Sequence, residues 1–152
     1  MAVRILKAPS FVLGMLFIIV LAHIIASFGG LYSSGDPSIS GVRVDRIFHA
    51  VGGFWIASLF FFYCLRKGFI DIHKHPLFAF ISAVAMTALI GVWWEVFEFS
   101  LDLTFGDSAL HIRQQGGVSD TMFDLIFDVI GAGAASAVYV WTMVRAKRSF
   151  AL

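Results

Sequence analysis

Charge and cysteine are both scarce in this chain. Only 14% of its 152 residues are charged while 59% are hydrophobic, whereas soluble domains carry about 25% charged residues. A water-facing surface is hard to build from this composition, which argues against a soluble protein. The formal net charge of +1 gives no reason to expect a nucleic-acid partner. The single cysteine, Cys64, excludes an internal disulfide and a multi-thiolate metal site, and we expect it to be buried.

Four apolar runs are long enough to cross a bilayer, which takes about 20 residues of helix. The predicted spans are residues 11–28, 47–65, 77–101 and 121–144. The first run is longer than a signal-peptide core and is followed by no clear cleavage site, so we expect it to be retained. The length suits one domain. We therefore predict a single transmembrane domain, residues 1–152, with an all-α fold: an integral membrane four-helix bundle.

The basic residues indicate how the bundle is oriented. Eight of the eleven Lys and Arg residues precede the first span, follow the fourth, or join the second to the third. Those eight are Arg4, Lys7, Arg66, Lys67, Lys74, Arg145, Lys147 and Arg148. The other side has only Arg43, Arg46 and Arg113. Because positive loops remain inside, we predict that both termini are cytoplasmic and that residues 29–44 and 102–119 face outward.

Aromatic residues near two span ends support the same arrangement. Trp93 and Trp94 lie near the outer end of the third span, and Tyr139 and Trp141 lie near the inner end of the fourth. Amphipathic rings favour the membrane–water interface. We predict that these four side chains form interfacial belts.

Acidic residues gather in the outer half of the bundle, which holds nine of the ten. They recur at helical spacings that give shared faces. These sets are Asp45 with His49, then Glu95 with Glu98 and Asp102, then Asp120 with Asp124 and Asp128. Gly131 and Ala135 continue the last stripe inward, and small residues let helices approach closely. Counted from the helix ends, His49 lies ~6 Å deep, Glu95 ~9 Å and Asp128 ~12 Å.

Carboxylates at this depth need their negative charge neutralised, because inserting an ionised Asp at the centre of a membrane helix costs roughly 2.5–3.5 kcal/mol on insertion scales. A bound cation, pairing with outer arginines, or protonation of some carboxyls would each serve. Simpler roles also exist: Asp120 as a helix N-cap, Glu95 and Glu98 as arginine partners, and Asp45 with His49 as an isolated pair.

The metal hypothesis is the one we pursue. The residues predicted for the metal site are Asp45, His49, Glu95, Glu98, Asp120, Asp124 and Asp128. Asp45 would orient His49 from outside the coordination sphere. The cofactor would be a divalent ion, with Mn, Fe, Zn and Mg as candidates. The outward-opening site would bind or act on a lipid-linked or envelope substrate, and whether the protein is an enzyme stays open.

Two other functions compete with this one. A cation or proton-coupled transporter needs a polar path across the bilayer, and the inner halves of the spans offer few polar groups. Those groups are Ser58, Ser82, Thr87, Ser136 and Thr142. A path would therefore call for an oligomer. A non-catalytic accessory membrane protein would use the acidic cluster to hold the fold or dock a partner.

Three short motifs carry a family resemblance. They are residues 45–49 (DRIFH), residues 94–98 (WEVFE), and residues 120–124 (DTMFD) leading into Gly131-Ala132. Together they resemble the small YjdF-like bacterial inner-membrane family, which has no settled biochemical function. The resemblance covers the second to fourth spans and implies a multi-pass protein of the bacterial cytoplasmic (inner) membrane.

The same order of features is similar, more distantly, to the VanZ-like family associated with glycopeptide resistance. That pattern has Asn where this chain has Asp128 and Gln where it has Glu98. At both positions this chain has a carboxyl group in place of an amide. The two differences therefore favour the YjdF-like assignment and strengthen the argument for a bound cation.

Overall fold

The computed structural model describes Leu6 and residues 8–28, 38–39, 42–105 and 116–149. Four helices carry this part of the chain: α1 (Pro9–Phe28), α2 (Val44–Lys67), α3 (Pro76–Phe105) and α4 (Val118–Ser149). Two short strands, β1 (Ser38–Ile39) and β2 (Val42–Arg43), pair antiparallel just before α2. The prediction of an all-α four-helix fold is confirmed. The expectations for Arg4, Lys7 and Arg113 lie outside the described residues.

All four helices are long and apolar enough to cross a membrane. Large apolar side chains cover their outer faces, and Phe17, Leu103 and Trp93 are each more than 60% exposed within the protein. Exposure on this scale is incompatible with water but suits lipid chains. The chain is therefore a multi-pass membrane protein whose surroundings include a bilayer.

Local signals set the helix ends. Pro9 and Pro76 open α1 and α3, where the missing N–H of proline has no helical partner to lose. Gly68 ends α2 in the left-handed conformation with φ of 72°, and its N–H and that of Phe69 both donate to the carbonyl of Cys64. The short connection that follows, with Ile72 buried, makes α2 and α3 antiparallel neighbours.

Helix α4 forms the centre of the bundle. Its packing against α2 is the most extensive in the protein, and it also packs against α3, whereas α1 packs mainly on α2. The indole N–H of Trp55 donates to the carbonyl of Val12 at 2.9 Å and ties α1 to α2. The bundle that surrounds the acidic residues therefore consists of α2, α3 and α4.

Tyr139 corrects one sequence prediction. We expected it at the interface, but it is fully buried, stacks on Phe61 with a centroid separation of 4.7 Å, and donates its hydroxyl to the carbonyl of Leu6. Trp141, two residues later, is 59% exposed. The interfacial prediction was wrong for Tyr139 because proximity to a span end does not tell which face of the helix a residue occupies.

Candidate functional site

The start of α2, the end of α3 and the start of α4 meet at one end of the bundle, which we call the site end. Three glycines make this meeting close. A Cβ at Gly53 would overlap the backbone of Asp128, and one at Gly131 would overlap the backbone of Ala50. On α3, Gly91 faces the carboxylate of Asp128 itself. Asp128 thus lies where α4 closely approaches both α2 and α3, and the residue is only 5% exposed.

Three of the seven predicted ligands form one compact group. Asp45 and His49 on α2 and Asp124 on α4 each offer a ligand atom, and these atoms lie within 4.8 Å of one another. We call this group the triad. The side chain of Asp124 is 3% exposed, and its Oδ1 has no hydrogen-bond partner within the described residues. A carboxylate oxygen buried without a donor is costly, so this position favours an additional group that the protein itself does not supply.

Asp128 lies against the imidazole ring of His49. Its Oδ1 lies 3.4 Å from His49 Nδ1, and both side chains are less than a tenth exposed. A carboxylate against one ring nitrogen holds an imidazole in one orientation and leaves the other nitrogen for a ligand. We expected Asp45 in this supporting role. The structure instead groups Asp45 with the potential ligands and sets Asp128 against the ring.

The two glutamates of α3 differ in environment. Glu95 is buried at 6% exposure and contacts the hydroxyl of Thr121 on α4. Glu98 is half-buried and accepts a 2.8 Å hydrogen bond from the indole N–H of Trp94 on its own helix. Glu95 therefore borders the triad from α3, and Glu98 lies further toward the helix end.

Asp120 has cationic partners. Arg43 pairs with its Oδ1, Arg46 Nη2 lies 3.9 Å from the same oxygen, and the backbone N–H of Gly116 donates to Oδ2 at 3.0 Å. Asp120 lies in the first turn of α4, whose first helical residue is Val118. It supports the helix start from inside that turn and is not the N-cap. The arginine pairing that we considered for the glutamates is thus found at Asp120.

Arg46 also contacts an aromatic ring. Its guanidinium carbon lies 4.2 Å from the ring centroid of Phe123, a distance typical of a cation–π contact. Together with Arg43 it forms a basic rim beside Asp120 at the site end. From the sequence, Arg43 and Arg46 are among the outer arginines that could neutralise carboxylates, and the structure places both beside Asp120.

The electrostatic balance of the site is negative. Within the described residues, the triad is bordered by the carboxylates of Asp128 and Glu95, and the two nearby arginines are engaged by Asp120 and Phe123. Oxygen and imidazole ligands at this density are the donor set that divalent transition ions accept. The arrangement is chemically capable of holding one such cation.

Comparison with known proteins identifies the family but no activity. The sequence model of the family described as "Predicted membrane protein (DUF2238)" matches residues 2–145, so the chain belongs to that family. A Thermotoga maritima protein described as "Uncharacterized protein" is 36% identical over 91 residues, which are 57% of this chain and 42% of the relative. The match thus spans less than half of that relative. No solved structure matches. Family membership is consistent with the YjdF-like resemblance, and the VanZ-like likeness stays a prediction.

Proposed function

We propose that the triad binds a divalent cation within the membrane, with Asp45, His49 and Asp124 as ligands and Asp128 as the carboxylate that orients His49. Two observations at the same residues carry this proposal: three ligand atoms lie within 4.8 Å of one another, and Oδ1 of the buried Asp124 has no hydrogen-bond partner within the described residues. Ligand atoms about 2.0–2.2 Å from a metal lie closer together than that limit, and small side-chain rotations close the difference.

The donor set favours some metals over others. One imidazole with two carboxylates suits Zn, Fe or Mn, whereas Mg prefers oxygen ligands and retains several waters. Glu95, which borders the triad from α3, would serve as a fourth ligand or as a base beside a metal-bound water. Glu98 and Asp120 have other partners, Trp94 and Arg43, so we assign them no coordination.

We further propose that the site opens toward the outside of a bacterial cytoplasmic membrane. The described basic residues Arg66, Lys67, Lys74 and Arg145 lie at the end of the bundle opposite the site, and positive loops remain cytoplasmic. A cation at this depth would meet a lipid-linked or envelope substrate at the outer interface. If the reaction is hydrolytic, the metal would supply an activated water.

The experiment is metal analysis of the purified full-length protein by plasma mass spectrometry. After exposure to Zn, Mn and Fe in separate preparations, the wild type is expected to retain about one equivalent of one metal after desalting. Asp124→Asn and His49→Gln should retain little. Asp102→Asn is the matched control, because it neutralises a carboxylate of α3 at the same end of the bundle but outside the triad.

Equal metal content in the wild type and in Asp124→Asn would refute the proposal. If none of the preparations binds metal and Asp124→Asn alters only the free energy of unfolding, the cluster serves the fold, as an accessory protein would require. The Asp102→Asn variant tests for nonspecific binding. If metal bound only through the overall negative charge at this end of the bundle, Asp102→Asn would lose metal as Asp124→Asn does.

A further inference from the structure

The bundle core contains a second set of buried polar groups, separate from the triad. Ser58 on α2, Thr87 on α3, and Ser136 and Tyr139 on α4 all have side chains with no exposed surface. Three of these are among the hydroxyls that the sequence scatters through the inner halves of the spans. Ser82 and Thr142, the remaining two, are only half-buried.

These groups follow the site inward at intervals of about one helical turn. On α3 the buried stripe runs Glu95, Gly91, Thr87, so Thr87 lies ~6 Å deeper than the glycine that faces the Asp128 carboxylate. On α4, Ser136 lies two turns beyond Asp128, and Tyr139 follows it one turn later. Thr87 on α3 and then Ser136 and Tyr139 on α4 therefore lie at successive depths along the axis of the bundle.

Hydrogen bonds show which hydroxyls have spare capacity. Ser58 donates to the carbonyl of Phe54 and Thr87 to that of Ala83, so each keeps an oxygen that can accept. The hydroxyl of Ser136 makes no hydrogen bond within the described residues, although a helical serine can bond the carbonyl four residues earlier. A fully buried hydroxyl in this state keeps both its donor and its acceptor capacity for a small polar partner such as water.

Tyr139 connects this set to the other end of the bundle. Its hydroxyl interacts with Ser58 and donates to the carbonyl of Leu6, which precedes α1. The buried neighbours of these hydroxyls include the small residues Ala57, Ala83, Ala132 and Ala135, together with Phe61, whose ring stacks on Tyr139. A column of buried polar groups thus runs from His49 and Asp128, past Thr87, Ser58, Ser136 and Tyr139, to the backbone carbonyl of Leu6 at the opposite end.

We propose that this column admits water and conducts protons between the site end and the opposite end of the bundle, lined by Thr87, Ser58, Ser136 and Tyr139. Each hydroxyl or water accepts a proton on one side and releases its own on the other, so only O–H bonds form and break. This goes beyond metal binding and does not require a bound cation. It gives the membrane domain an activity of its own, proton movement down an electrical gradient. The path lies within one chain, whereas the sequence led us to expect that a path would call for an oligomer, because the sequence did not place Tyr139 in the core beside Ser58.

The test uses full-length protein reconstituted into liposomes that contain a trapped pH-sensitive dye. A potassium gradient with valinomycin sets the membrane potential, and a chelator keeps the triad free of metal. Wild-type vesicles should change internal pH faster than protein-free vesicles. Ser136→Ala and Tyr139→Phe should each lose most of the protein-dependent flux. Ser82→Ala is the matched control and should conduct as the wild type does.

Ser136→Ala removes a hydroxyl that makes no hydrogen bond with the part of the chain that the structure describes, so its effect reports on conduction and not on folding. Both variants should still retain metal as the wild type does, which separates this proposal from that of the triad. Wild-type vesicles no faster than protein-free ones would overturn the path. So would full flux in both Ser136→Ala and Tyr139→Phe.

Discussion

Replacing Gly131 by alanine should destabilise the bundle by separating α4 from α2. The added Cβ would overlap the Ala50 carbonyl group, and Phe54 N would lie 2.8 Å from it. These are backbone atoms, so no change of rotamer relieves the overlap and the two helices must move apart. Overpacking of a core costs about 1–3 kcal/mol, and because the obstruction is backbone we expect a cost near 3 kcal/mol.

Gly133→Ala is the control for this prediction. Gly133 lies two residues further along the same helix, and a Cβ there would meet nothing within 4 Å. Both variants gain the same helix propensity, about 1 kcal/mol for glycine to alanine. The difference between their free energies of unfolding therefore isolates the overlap with Ala50.

The assay is reversible unfolding in mixed micelles titrated with sodium dodecyl sulfate and followed by circular dichroism. Gly131→Ala should unfold at a clearly lower detergent fraction than Gly133→Ala. Its metal affinity should fall as well, because moving α4 draws Asp124 away from Asp45 and His49. Coincident unfolding curves for the two variants would refute the claim that backbone contact at Gly131 assembles the site.

Two further predictions concern metal removal and the attachment of α1. Metal at about 100 times its Kd adds about 2.7 kcal/mol to the free energy of unfolding, which raises the Tm of a chain of this size by roughly 5–10 °C. A chelator should therefore lower the Tm of the wild type by that amount and leave the Tm of Asp124→Asn unchanged. Equal shifts in Tm for the two proteins would count against the triad. Trp55→Phe loses the 2.9 Å hydrogen bond to the Val12 carbonyl, which is worth about 1 kcal/mol. The rate of amide hydrogen exchange should therefore rise in α1 and not in α4. A uniform rise in all helices would contradict the prediction that this bond attaches α1 to α2.

The sequence predicts the helices well because one property dominates. Four long apolar runs with little charge between their ends have no stable alternative to spanning helices, since every backbone polar group in lipid needs an internal partner. The stripe of Asp124 and Asp128 with Gly131 was also readable, because i and i+4 positions share a face whatever surrounds the helix.

The pairing across helices was not readable in the same way. Spacing alone put Asp45 beside His49, but the rotation of α4 decides that Asp128 faces the ring and Asp124 joins Asp45. The rotation of α4 about its own axis depends on which of its faces approaches α2 most closely. The close contact between Gly53 and the Asp128 backbone fixes that face. Tyr139 had an overlooked signal: it continues the buried stripe of α4 inward and therefore belongs to the core.

The contact between Gly91 and Asp128 has a consequence for how this family can vary. The position where a side chain would begin on α3 is already filled by the carboxylate from α4. The two residues therefore share one volume, and a larger residue at position 91 requires the Asp128 carboxylate to move away from α3. A relative with alanine or serine in place of Gly91 should carry a shorter side chain in place of Asp128, so that the two positions exchange as a pair and the support of His49 passes to another helix.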